Sequence, residues 1–342
     1  MGFLDRFRAT PATRIAKFWT WWSDHQAELA AAYADDGDES MMRMVPKVSR
    51  AVSAIDRDLE WEVSKGATEG SYHFVVTATG DDELYQLAKE WYEAAPTNAG
   101  PWTFAPVRSF TPATEEDVIT VNGTTVDLAE LRFDISTSLT QVDVNVSHPA
   151  FEGIDDEKAG TLAVFLLDNI LSEEIVEWWI GGITPVPHPA GEATVSDLRY
   201  EVESFRAQYL TEDGSLTWTI AQAEIEGMPA LVRVQVPLCS ATAPGLNQHV
   251  LFELCYGDDG PEGLPGSLDM DRFGAVEDQL EAAMGDNGRI VAIETGRHLR
   301  TVHMYVNSSS GAVGRLGPLA AQAGARFEHS PDPAWKNVDH VK

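Results

Sequence analysis

The chain has 342 residues and a formal net charge of −30, from 54 acidic against 24 basic residues. Phosphate backbones demand clustered Lys and Arg, so direct nucleic-acid binding is not expected; the charge fits solubility, a salty cytoplasm or attraction of a basic partner. The hydrophobic fraction is 44%, with 10 Trp and 13 Phe, enough to bury cores in two or three units, and no apolar run is long enough to span a bilayer.

Taken in chain order, residues 12–33 read as a helix carrying the aromatic cluster FWTWW, with Phe18, Trp22 and Leu29 near one face. A second helix is expected over 40–57, with Met44, Val48, Val52 and Ile55 at three- and four-residue spacing. Strands LEWEVSK and SYHFVVTATG follow, then the helix DDELYQLAKEWYEAAP, with acidic residues in its first turn and Pro96 after its end. PWTFAPVRSF is extended.

After a hairpin-like stretch with Asn122-Gly123 at its turn, the same order returns. ELRFDISTS and QVDVNVSHP are strands, DDEKAGTLAVFLLDNILSE is a helix, and EIVEWWIGGITPV is read as the next strand. Residues 1–190 therefore read as an α+β domain with two helices and a duplicated ββαβ pattern. The Pro- and Gly-rich TPVPHPAGEA, 184–193, reads as the boundary, and residues 194–342 as the second domain. That domain begins with the strand pair SLTWTIAQAEI and ALVRVQVPL. The strand HVLFELCYG, the helix LDMDRFGAVEDQLEAAM, the strands RIVAIETG and RTVHMYVN, the helix ending at Gly324 and the strand ARFEHS follow. Their order is β-α-β-β-α-β, the split βαβ of ferredoxin-like folds.

Candidate chemistry is sparse. The glycines of GAVGRLG, 311–317, follow neither the dinucleotide nor the P-loop order, so they read as a helix start. Asp35, Asp36, Asp38 and Glu39 lack calcium-loop spacing, and Asp258, Asp259 and Glu262 read the same way, as solvated loops. Cys239 and Cys255 have no neighbouring His pattern and read as buried thiols. His298 and His303 are an odd number of residues apart across a turn, which makes them a poor metal pair. No catalytic, cofactor-binding or metal-binding residue is assigned, and no cofactor is expected. Most of the tryptophan cluster reads as core. Trp21, pointing away from the Phe18–Trp22 face, is the candidate partner-binding ring, with Asp24 and His25 beside it.

The segments GLPGSLDMDRF and DPAWKNV, the Gly296 turn and Tyr305 carry a resemblance. Together they resemble an uncharacterised bacterial family associated with the regulator of ribonuclease E activity B. The FWTWW helix, VVTATG and AAP look like the upstream region of its relatives. That resemblance covers roughly 100 residues at the C-terminal end and implies a small acidic protein that acts by binding an enzyme, not by catalysis. This chain is much larger than that regulator.

The start, MGFLDRFRATPATRIAKFW, has no apolar signal-peptide core, so a cytoplasmic protein is expected. The function expected is a non-catalytic acidic binding protein acting on a protein partner of basic character, with no membrane association. Two alternatives stay open: a metal-dependent hydrolase built from scattered carboxylates and histidines, and a small-molecule binder between the two domains.

Overall fold

The structure is a computed structural model that describes residues 10–34, 38–66, 68–81, 83–108, 112–121, 123–211, 215–225, 227–257, 260 and 263–342; for 38, 39 and 225 only the backbone is described. Asp35, Asp36, Asn122, Asp258, Asp259 and Glu262 lie outside the described residues. The fold is mixed α+β with several separate sheets, and no helix among the described residues is long and apolar enough to cross a membrane. The chain divides into two compact units, residues 1–109 and 110–342.

In the first unit, Thr10 opens helix α1 (Pro11–Ala34) by accepting the Thr13 N–H at 3.3 Å, with proline in the first helical position. Ile15, Phe18, Trp22, Leu29 and Ala32 are its buried stripe. Helix α2 (Asp38–Ser53) buries Met44, Val48 and Val52 in the same core. Strands β1 (Glu60–Lys65) and β2 (Tyr72–Thr77) are antiparallel. Helix α3 (Tyr85–Glu93) then returns the chain to β3 (Trp102–Ala105), parallel to β2. The FWTWW cluster is answered across this core. Phe18 and Trp22 are 2% and 1% exposed and meet Phe74, Trp91, Trp102 and Phe104 at ring separations of 4.7 to 6.2 Å. Each such ring supplies several times the apolar area of an alanine, so the cluster is this small unit's main source of burial.

The second unit begins with the hairpin β4 (Val118–Val121) and β5 (Thr124–Asp127). Strands β6 (Arg132–Thr137) and β7 (Val142–Ser147) are antiparallel, and β8 (Ile180–Val186) is parallel to β7. Both three-stranded sheets thus share strand order and pairing sense. Helix α4 (Asp156–Leu171) is capped by Asp155, whose side chain accepts the Lys158 N–H.

Residues 174–179, read from sequence as strand, form a helix instead: α5 spans Glu173–Trp179. Ser172, at a φ of +100°, breaks α4 and its hydroxyl caps α5 by accepting the Ile175 N–H at 3.4 Å. Only then does the chain extend into β8. A helix that sequence reading passed over, α6 (Val195–Arg206), opens with a capping box in which the Thr194 hydroxyl accepts the Asp197 N–H and the Asp197 carboxylate accepts the Thr194 N–H.

The boundary expected at 184–193 falls inside this second unit. The segment is held to β6 and β7: the Phe133 N–H of β6 donates to the Ala193 carbonyl at 2.9 Å, and the Ala190 N–H donates to Ser147 Oγ of β7. A side chain at Gly191 would collide with the Phe133 carbonyl. Beyond it, Val195, Leu198, Val202 and Phe205 of α6 join the core of α4 and the β6–β8 sheet. Proline and glycine here serve close packing rather than a break between domains.

The last sheet has six strands in the order β14-β11-β13-β12-β10-β9, all antiparallel. Its strands are β9 (Thr217–Ile225), β10 (Met228–Val236), β11 (Gln248–Cys255), β12 (Gly288–Gly296), β13 (Leu299–Val306) and β14 (Arg326–Pro331). Helices α7 (Ser267–Met284) and α8 (Ala312–Ala323) cover one face, where Phe273, Leu280, Met284 and Leu316 meet Phe252, Val302 and Met304. The opposite face is covered by the C-terminal 3-10 turn Lys336–Val341, through Trp335, Val338 and Val341. Of the two thiols, Cys239 is buried but Cys255, at the end of β11, is exposed, and the two are not bonded to each other.

Candidate functional site

On α1, Asp24 is exposed, while Trp21 and His25 are half-buried. Their rings stack at 4.7 Å with an 18° interplanar angle, and His25 Nδ1 lies 2.8 Å from the Trp21 carbonyl. Trp21 also packs partly against the core beside Phe18. Trp21 and His25 therefore occupy each other. Trp19, which sequence reading gave to the core, packs against that core, is half-buried like Trp21, and also lines a surface groove.

Trp19 stacks on Trp91 at 5.1 Å, and its indole N–H donates to the Trp91 carbonyl. With Ile15 and Ala16 it forms the floor of a groove between α1 and α3. Asp24, Glu90 and Glu93 line the groove as well, with no Lys or Arg among its described lining residues. Glu90 is steadied by a 2.8 Å hydrogen bond from Gln86, one turn earlier on α3. An apolar floor with carboxylates on its lining suits a segment carrying both apolar and cationic side chains. Asp24 is thus brought to the groove; Trp21 and His25 are not among the residues that line it.

The second unit holds a polar network on the sheet face beneath the C-terminal turn. Strand alternation puts His249, His303 and Tyr305 on that face, and register sets His249 opposite Tyr305. Glu294 reaches the same face because of a β-bulge between Ile290 and Ala292. Ile290 and Ile293 point into the helix-covered core, whereas Val291 and Ala292 point to the other side. One extra residue has shifted the alternation and re-aimed Glu294.

His249 Nε2 lies 3.1 Å from His303 Nδ1, and His303 Nε2 lies 2.9 Å from Glu294 Oε1. His340, delivered by the C-terminal turn, places its Nε2 2.9 Å from the same Glu294 oxygen. Burial works to raise the Glu294 pKa, but hydrogen bonds and charge from His303 and His340 outweigh it and bring the carboxyl to about 2. Burial, helped by the neighbouring His303, pulls His249 down to about 4, so it is neutral at pH 7. The donor atoms of Glu294, His303 and His340 lie within 4.8 Å of one another, close enough to offer three ligands to one metal ion.

Next to this network, the Tyr305 hydroxyl donates to Asp332 Oδ2 at 2.6 Å, and Trp335 stacks on Tyr305 at 4.3 Å. Asp332 also accepts the backbone N–H groups of Lys336 and Asn337. The DPAWKN segment is therefore a turn lock. His298, read from sequence as a poor metal partner for His303, sits in the β12–β13 turn at a φ of +63°, its ring against Tyr256. Neither Glu294 nor His340 carried a sequence signal, because a bulge and a contact spanning 46 residues bring them together.

The chain matches no protein-family model, no curated protein and no solved structure.

Proposed function

We propose that this is a non-catalytic acidic binding protein that regulates a basic protein partner by holding an amphipathic, Lys- or Arg-bearing segment in the α1–α3 groove. The observation that carries the reading is the joining of an apolar floor, Ile15, Ala16 and Trp19, to the carboxylates of Asp24, Glu90 and Glu93. The net charge of −30 would steer such a partner from a distance and make the association fall with salt.

The same reading takes the protein as cytoplasmic and as related to the bacterial family of the regulator of ribonuclease E activity B. It takes strands β11 to β14 with α7 and α8 as a ferredoxin-like unit, supported by the order β14-β11-β13-β12. It takes the two matching three-stranded sheets as a diverged ββαβ duplication, supported by their common pairing.

The test is a paired capture from host lysate by wild-type protein and by an Asp24→Lys/Glu90→Gln/Glu93→Lys variant, each at low and high salt. A basic protein retained by the wild type at low salt, and by neither the variant nor the wild type at high salt, supports the proposal. Equal retention by both proteins overturns the groove as the site.

A further inference from the structure

We propose that Glu294, His303 and His340 form a zinc site that fastens the C-terminal turn to the six-stranded sheet. Three donor atoms already converge, Glu294 Oε1, His303 Nε2 and His340 Nε2, with both nitrogens 2.9 Å from the one oxygen. Ligand atoms at about 2.0–2.1 Å from a tetrahedral zinc lie about 3.3 Å apart. Seating the ion therefore requires these two contacts to open by a few tenths of an ångström and the two nitrogens, which lie within 4.8 Å of each other, to take up a similar spacing.

The donor set selects the metal. Two imidazoles and one carboxylate suit zinc and its late first-row neighbours; calcium and magnesium take oxygen ligands in larger number. The surroundings supply the outer support such a site uses. With Nε2 of His303 on the metal, its Nδ1 carries the proton and donates to His249 Nε2, at the 3.1 Å observed. His249 is buried on the same sheet face, with its Nε2 placed to accept that proton.

The placement shows what the ion would do. Glu294 and His303 belong to paired central strands, whereas His340 belongs to the turn that also carries Val338 and Val341 into the sheet face. A metal bridging them adds a link between the sheet and the last residues of the chain. His303 is buried and His340 half-exposed, with side-chain exposures of 5% and 53%, so an ion reaches the site from solvent on the His340 side.

Titration calorimetry of the full-length, chelator-stripped protein with zinc chloride tests the site. Cobalt(II) is the spectroscopic probe, and magnesium chloride the negative control. One equivalent of zinc and a tetrahedral cobalt(II) visible spectrum are expected. Glu294→Gln and His340→Ala should each weaken zinc by at least about tenfold, while His188→Ala, an exposed histidine of the same unit, leaves it unchanged. His340 is in an exposed position, so its variant should fold, and circular dichroism checks that it does. No stoichiometric zinc, or zinc binding equal in wild type and a folded His340→Ala variant, overturns the site.

Discussion

Tyr305→Phe removes one oxygen and nothing else. The ring is fully buried and stacked on Trp335 at 4.3 Å, and the substitution keeps both its volume and that stacking. What is lost is the 2.6 Å hydrogen bond to Asp332, a buried ionisable acceptor that also holds the Lys336 and Asn337 backbone N–H groups at 3.0 and 2.9 Å. Burial, and then the bond to Asp332, raise the Tyr305 pKa, so the phenol remains a donor across the working range. A hydrogen bond to a charged group contributes about 1.5–3 kcal/mol, and that is the expected loss. Asp332→Ala strips the acceptor from all three donors and should cost about 3–5 kcal/mol. The assay is urea unfolding of the second unit's transition, with hydrogen exchange at the Val338 and Val341 amides reporting release of the turn. If Tyr305→Phe shifts stability by less than about 0.5 kcal/mol, the turn lock is not what secures the C-terminal segment.

Further outcomes follow from other parts of the molecule. Trp22→Ala in the aromatic core should destabilise the first unit by about 3–5 kcal/mol in thermal or urea unfolding; a loss under 1 kcal/mol contradicts the packing described. Burial holds the His148 pKa below the ordinary imidazole value, against the raising pull of Glu130 and Asp127. The unfolded chain then binds the extra proton first, so this stability is fully present above about pH 6.5 and declines as pH falls toward the folded value. His148→Asn, which keeps an acceptor for the Ala150 N–H, should flatten that slope between pH 7 and 5; an unchanged slope assigns it to other groups. Excess chelator should lower the thermal midpoint of zinc-loaded wild type and leave His340→Ala unmoved; an equal fall in both points to metal held elsewhere.

Helices with a long apolar stripe are legible from residue spacing alone. Of the face that spacing predicts on α7, Phe273, Leu280 and Met284 are buried and Val276 is half-buried against the same core. On α1, Phe18, Trp22 and Leu29 are buried as well. Helix α5 was not legible, because Val176, Trp178, Trp179 and Ile180 are residues that also favour strands, and the serine cap that decides the matter was not recognised. Helix α6 did carry a readable sign, the Thr194–Asp197 capping box. The adjacent Pro/Gly segment has the composition of a linker and masks it.

The groove was half visible. Asp24 belongs to it, but choosing between Trp19 and Trp21 depends on where α3 packs, which spacing on α1 alone does not fix. The Glu294–His303–His340 cluster was hidden for a different reason. Strict alternation puts Glu294 on the wrong face, and only the bulge at 290–292 corrects it.

The central claim is that the α1–α3 groove receives a basic amphipathic segment. A random-peptide display selection on the full chain at low salt tests it most directly, with each enriched peptide then titrated against wild type and the Asp24→Lys/Glu90→Gln/Glu93→Lys variant. The account predicts peptides with Lys or Arg beside apolar residues at helical spacing, weakened at least about tenfold by the variant and by high salt. Enriched peptides that lack cationic residues, or that bind the variant as well as the wild type, contradict it.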